Sequence, residues 1–126
     1  MSFDEFLTDY QDACSRGETE AILRHVAGDY RGDYFYPAGN TRAFDREALE
    51  AGWRAAEDHF ARAGARWRYE NVAMGRREDE RIVASWVDFL VEGQPTGRSF
   101  LVATFRQTQD GWKLTHEHMQ HRVESL

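Results

Sequence analysis

The hydrophobic period of this chain changes once, at Gly64, and that change limits what it can fold into. Before Gly64 apolar residues recur about every 3.6 positions, the period of one helix face; after it they alternate, as on a strand. Phe3, Phe6, Leu7, Tyr10, Ala13 and Cys14 predict a first helix that stops near Gly17, and Ile22, Leu23 and Val26 predict a short second one. Asp45 is placed to cap a third helix, with Phe44 and Leu49 as its hydrophobic staple. That helix should run to Arg62 or Ala63, with Leu49, Trp53 and Phe60 on one face and Ala48, Gly52 and Ala56 letting it lie close to a sheet. Beyond Gly64 the chain reads as successive antiparallel strands. Helices followed by a sheet make the fold class α+β.

A chain of 126 residues holds one core, so residues 1–126 are read as a single domain. A formal charge of −6 and the lack of a Lys/Arg run leave no basic face for nucleic acid or an anionic membrane. No segment approaches the roughly 20 apolar residues of a membrane span, and MSFDEF has neither the basic nor the apolar region of a secretory leader. The expectation is a soluble cytoplasmic protein. Its lone cysteine, Cys14, cannot make an internal disulfide and suits a small core position on the first helix.

Strand parity predicts the inner face. In VASWVDFLV, Val83, Ser85, Val87, Phe89 and Val91 share one side, and Ala84, Trp86, Asp88 and Leu90 the other. A loop from Gly93 to Gly97 would set Glu92 against Arg98 and put Ser99, Leu101 and Ala103 on the first side. Asp110-Gly111 is a hairpin signal that sets Phe105 opposite His116 and Ala103 opposite His118. His116 and His118 are then expected on the apolar side with Trp112, Leu114, Phe105 and Leu101, and His121 past the strand or on its other face. Trp86, Leu90, Phe100 and Val102, on the opposite side, predict a homodimer surface, with Asp88 and Arg106 as polar partners. GRREDER reads as an exposed hairpin loop, and whether Trp67 and Tyr69 or Val72 and Met74 look inward stays open.

The run HEHMQH allows three readings. His116 and His118 point the same way, as metal ligands must, but two donors do not make a site, and no metal or other cofactor is expected. As acid/base groups, imidazoles among apolar residues can exchange protons near neutral pH, and His118, further from the turn, is the first choice. The third reading is a core histidine satisfied by a backbone carbonyl or a tyrosine hydroxyl. In DYFYPAG, Tyr34 and Tyr36 share a face and could offer hydroxyls on apolar rings to a flat ligand. Tyr10, Trp53 and His59 could reach the same space from the first and third helices.

Together, FDEFLTDYQDACSRGETEAI, DYFYPAG and GRSFLVATFRQTQDGWKLTHEH resemble the nuclear transport factor 2-like superfamily, specifically its SnoaL-like branch. The resemblance covers most of the chain. It implies a cone-shaped α+β barrel with N-terminal helices packed on a strongly curved, mainly antiparallel sheet, usually a homodimer, with a pocket between helices and sheet. Chemistry varies across that superfamily, from isomerases, cyclases and dehydratases to proteins without a reaction. Relatives often carry Ser two positions after the final strand histidine; Gln120 stands there here. The functional expectation is a pocket for a small, apolar organic ligand, with His118 and Tyr36 as catalytic groups and Tyr10, Tyr34, Trp53, Phe105 and His116 as ligand contacts. An isomerase, dehydratase or cyclase without a cofactor is one outcome, and a non-catalytic binding or assembly module the other.

Overall fold

The computed structural model describes residues 1–121. Its elements are α1 (Phe3–Arg16), α2 (Thr19–Arg24), β1 (Val26–Phe35), β2 (Thr41–Asp45), α3 (Arg46–Arg62), β3 (Ala65–Arg77), β4 (Glu80–Val91), β5 (Gln94–Thr108) and β6 (Gly111–Gln120). They form one six-stranded sheet in the order β2-β1-β6-β5-β4-β3, antiparallel except where β1 runs parallel to β6. The sheet is curved and open rather than a closed barrel: β2 and β3 are its two edges, and α3 packs against both.

Local chemistry sets the helix ends. Ser2 and Glu5 form a reciprocal capping box at the start of α1. Gly17 ends that helix in the left-handed region (φ 66°), and a Cβ there would lie 2.4 Å from the Phe60 ring. The close approach ties the end of α1 to α3, so glycine is required on two counts. Asp45 caps α3 as expected, its carboxylate accepting from the Ala48 N–H at 2.8 Å. The six apolar residues read from the first helix are all buried, and Phe3, Phe6 and Tyr10 make edge contacts with Phe105 on the sheet.

Parity in β4 and β5 is as the alternation indicates: Val83, Ser85, Val87, Ser99, Leu101, Ala103 and Phe105 are buried. Register differs. The turn is Glu92-Gly93, both at positive φ, rather than Gly93 to Gly97, so Val87 faces Ser99 and Asp88 faces Arg98. Left-handed geometry at both positions matches the twist of a two-residue hairpin. Arg98 accordingly pairs with Asp88 at 3.0 Å and Glu70 at 2.9 Å, not with Glu92. In β3, Trp67 and Tyr69 pack against the core, while Val72 and Met74 are exposed near an arm that closes in a tight turn at Glu78-Asp79.

The largest departure lies in β6. Phe105 faces Leu114 and Thr104 faces His116, so Thr115 is an extra residue in the ladder. Its hydroxyl donates to the Thr104 carbonyl at 3.1 Å, anchoring the bulge. One extra residue reverses every side chain that follows. Trp112 and Leu114 face in before it; Glu117 and Met119 face in after it, while His116 and His118 are turned to the outer side. The inward placement expected for His116 and His118 is therefore corrected, and the expected pairings Phe105–His116 and Ala103–His118 are replaced by Phe105–Leu114 and Ala103–Glu117.

Candidate functional site

The reversal in β6 places a carboxyl group in the core. Glu117 is 6% exposed, and β1 lies beside it in parallel register with Gly32 directly across. Tyr30, Gly32 and Tyr34 share the inner side of β1 by alternation. The Tyr30 hydroxyl donates to Glu117 Oε1 at 2.6 Å and the Tyr34 hydroxyl approaches the same oxygen at 3.5 Å. Gly32 makes this possible, because a Cβ there would sit 2.3 Å from the Tyr30 hydroxyl. Its role is steric, since the tyrosine occupies the space a side chain would need.

Burial raises the Glu117 pKa above the ordinary 4.5, and the hydrogen bonds from Tyr30 and Tyr34 pull it partly back. Burial and then the nearby Glu117 charge push the Tyr30 and Tyr34 phenols upward, so both remain neutral donors. Tyr10, Tyr69 and Cys14 extend this polar cluster within the core. Burial pushes the Cys14 thiol up to about 12, which keeps it protonated and removes it as a nucleophile at neutral pH.

A cleft of about 180 Å³ opens beside this cluster, in the gap between the sheet's two edges and under α3. Phe44, Leu49, Trp53 and Trp67 form its walls, and Tyr34 carries its boundary back toward Glu117. Gly52 and Ala56 keep the helix side open. A second cavity of about 250 Å³ lies across Trp67 and Ala56 and is lined by Phe60, Phe89 and His121. His121, not His116 or His118, is the ring of the HEHMQH run that reaches an interior space; it lies 5.4 Å from the Phe89 ring and 5.5 Å from Tyr36.

The residues singled out from the sequence divide between three places. Tyr34 and Trp53 line the 180 Å³ cleft. Tyr10, on α1, and Phe105, on β5, are buried in the core in ring contact with each other at 5.6 Å, and line neither the 180 Å³ cleft nor the 250 Å³ cavity. Tyr36 follows β1 and is half-buried against His121, so it does not share the cleft with Tyr34. His116 and His118 lie on the outer face beside Asp33, their side chains 36% and 49% exposed. His59 is exposed at the rim of the 250 Å³ cavity. Glu117, Tyr30, Trp67 and Phe44 were not foreseen as a group. The sequence does carry a signal for Glu117: Trp112 and Leu114 are even-numbered, Met119 is odd, and one uninterrupted alternation cannot bury all three.

Residues 4–119 match the SnoaL-like domain. The chain belongs to the SnoaL-like domain family. Solved structures similar to this SnoaL-like chain agree on the fold. A cystatin-like protein of unknown function from Nostoc punctiforme PCC 73102 superposes with a TM-score of 0.71 at 21% identity, covering 98% of this chain and 90% of the other. An NTF2-like protein from Novosphingobium aromaticivorans gives 0.71 at 20% identity, covering 96% and 80%. A ketosteroid isomerase-like protein from Erwinia carotovora atroseptica SCRI1043 gives 0.67 at 15% identity, covering 96% and 94%. No curated protein matches the chain. Identities this low carry the SnoaL-like fold across and leave the site to be argued from its own residues. Among the described residues no helix is long and apolar enough to cross a membrane.

Proposed function

We propose that this SnoaL-like protein binds a small, flat, mostly apolar organic molecule under α3, with the neutral Tyr34 hydroxyl as the polar group that orients it. The observation that carries this reading is the junction of an aromatic cleft with a buried acid: Tyr34 bounds the cleft and its hydroxyl lies 3.5 Å from Glu117. Ligand sites commonly join apolar walls to a few convergent polar groups. A dry apolar cavity of roughly 150 Å³ is enough to hold benzene, so the space here suits a single ring rather than a fused polycycle. Rotation of Trp67 would join the cleft to the neighbouring cavity and admit a longer molecule.

The reaction class that fits is proton transfer next to a carbonyl, as in isomerisation or dehydration, with no cofactor. Tyr34 would turn its hydroxyl proton from Glu117 to the developing oxyanion, and the Glu117 carboxylate freed of that bond would take the proton lost from the adjacent carbon and return it at the product carbon. Non-catalytic binding is the second reading, favoured by Glu117 itself, which stands behind Tyr34 rather than on the cleft wall. His118 has no part in either reading.

The test is a screen of single-ring ketones, phenols and enones by tryptophan fluorescence, since Trp53 and Trp67 both line the cleft. Saturable quenching that is lost in Trp53→Ala supports the pocket. Quenching equal in the variant rejects it. With a ligand in hand, Tyr34→Phe that keeps affinity but abolishes turnover supports proton donation, and unchanged turnover assigns the chemistry elsewhere.

A homodimer through the outer face is part of the same proposal. Supporting it, Trp86 and Phe100 are half-buried with ring centroids 4.9 Å apart, and Val102 extends their apolar strip. Arg68, Asp88, Arg98 and Glu70 form an ion-pair chain beside it. Sedimentation of the protein and of Phe100→Glu should give a dimer and a monomer respectively.

A further inference from the structure

We propose that Asp33, His116 and His118 form a binding site for a zinc-class divalent transition ion on the outer face of the sheet. The site is independent of the cleft, from which the thickness of the sheet separates it. Two histidines alternating on one strand supply two donors and no third. The β1–β6 register supplies the third, because Asp33 is the direct partner of His118. Both Nε2 atoms converge on the same carboxylate oxygen, Asp33 Oδ2, at 3.4 Å from His116 and 3.9 Å from His118. All three donor atoms lie within 4.8 Å of one another.

These separations suit a metal. Ligands about 2.0–2.2 Å from a tetrahedral zinc lie roughly 3.3–3.5 Å apart, so the Asp33–His116 separation of 3.4 Å already fits and the His118 ring has to move inward to complete the set. Ring orientation is already constrained: His118 stacks on Phe35 at 6.0 Å, and His116 meets His118 edge-on at 4.6 Å. In the single chain the half-exposure of all three side chains leaves the remaining coordination positions open, to water or, because His118 pairs with Val102 of the proposed dimer strip, to the facing copy. Two imidazoles and one carboxylate favour zinc, copper, nickel or cobalt over magnesium and calcium, which take mainly oxygen ligands.

A simple Asp33–His116 ion pair is the competing explanation. Arg31, opposite His116 in the register, also brings positive charge near the site; its guanidinium donates to the Tyr30 carbonyl at 3.3 Å. The two explanations differ in the role of His118, which an ion pair between Asp33 and His116 does not need.

Zinc chloride titrated calorimetrically into the full chain, with magnesium chloride as control, is the experiment. The proposal expects one zinc per chain and no magnesium response. It expects affinity to fall more than about tenfold in each of Asp33→Asn, His116→Ala and His118→Ala, as loss of one ligand in three demands. X-ray absorption of the zinc-loaded protein should show two imidazole ligands. No zinc binding, an equal magnesium response, or affinity unchanged in His118→Ala would each overturn it. All three positions are half-exposed, so the variants should keep the parent melting curve; one that fails to fold is replaced by His118→Gln, read by the same titration.

Discussion

The two halves of β6 follow the same alternation with opposite results. From Gly111 to Leu114 the even-numbered residues enter the core, and from Glu117 to Gln120 the odd-numbered ones do. The first half builds ordinary packing, with Trp112 against the Phe3 ring of α1 and Leu114 in the same apolar core. The second half places a carboxyl inside and imidazoles outside. Met119 is 2% exposed while the His118 side chain beside it is 49% exposed, which shows how complete the exchange is. Chemistry in this fold thus depends on a single inserted residue, Thr115, whose own side chain takes no part in it.

Met119→Ala should have the largest effect, a loss of about 2–5 kcal/mol, because Met119 is 2% exposed and truncation leaves a cavity as well as removing buried apolar surface. Chemical denaturation against wild type measures it, and a loss within about 0.5 kcal/mol, as at an exposed position, would mean that the odd-numbered residues after Thr115 do not face the core. Gly32→Ala should come next, at about 1–3 kcal/mol, because the new methyl displaces the Tyr30 hydroxyl from Glu117.

Tyr30→Phe should cost about 1–3 kcal/mol, the usual effect of leaving a buried polar group short of a partner. Glu117 also makes stability depend on pH. Its folded pKa is raised, so the native state holds the proton more tightly than the unfolded chain. That contribution is fully present below the ordinary value of 4.5 and is lost as pH rises through the folded pKa. Glu117→Gln should flatten the decline, as thermal melts across that range would show. The smallest effect belongs to the outer side: without metal, His116→Ala and His118→Ala should each stay within about 0.5 kcal/mol of wild type, as exposed substitutions usually do.

The fold was legible because period is a collective property. Six residues agreed on α1, Asp45 with Phe44 and Leu49 announced α3, and the β4 and β5 faces followed from alternation alone. The site was less legible because facing at one position depends on an exact count. Glu92 adopts positive φ without being glycine, so the β4–β5 turn lacked its usual marker at the first position. Thr115 is an ordinary strand residue, and nothing in its own chemistry marks a bulge. Only the mismatch between Leu114 and Met119 recorded it. Tyr34 and Trp53 stand out in the sequence as aromatic residues whose placement does not depend on the β6 register, and both line the 180 Å³ cleft. Glu117 was hidden by the assumption of unbroken pairing.

Titration of the Glu117 side-chain carboxyl by carbon-13 NMR tests the central claim most directly. A buried, inward Glu117 held by Tyr30 should titrate above 4.5, and Tyr30→Phe should move it higher still by removing a hydrogen bond that favours the charged form. A midpoint at the ordinary glutamate value, unmoved by Tyr30→Phe, would mean that Glu117 faces water and that the exchange of faces at Thr115 does not occur.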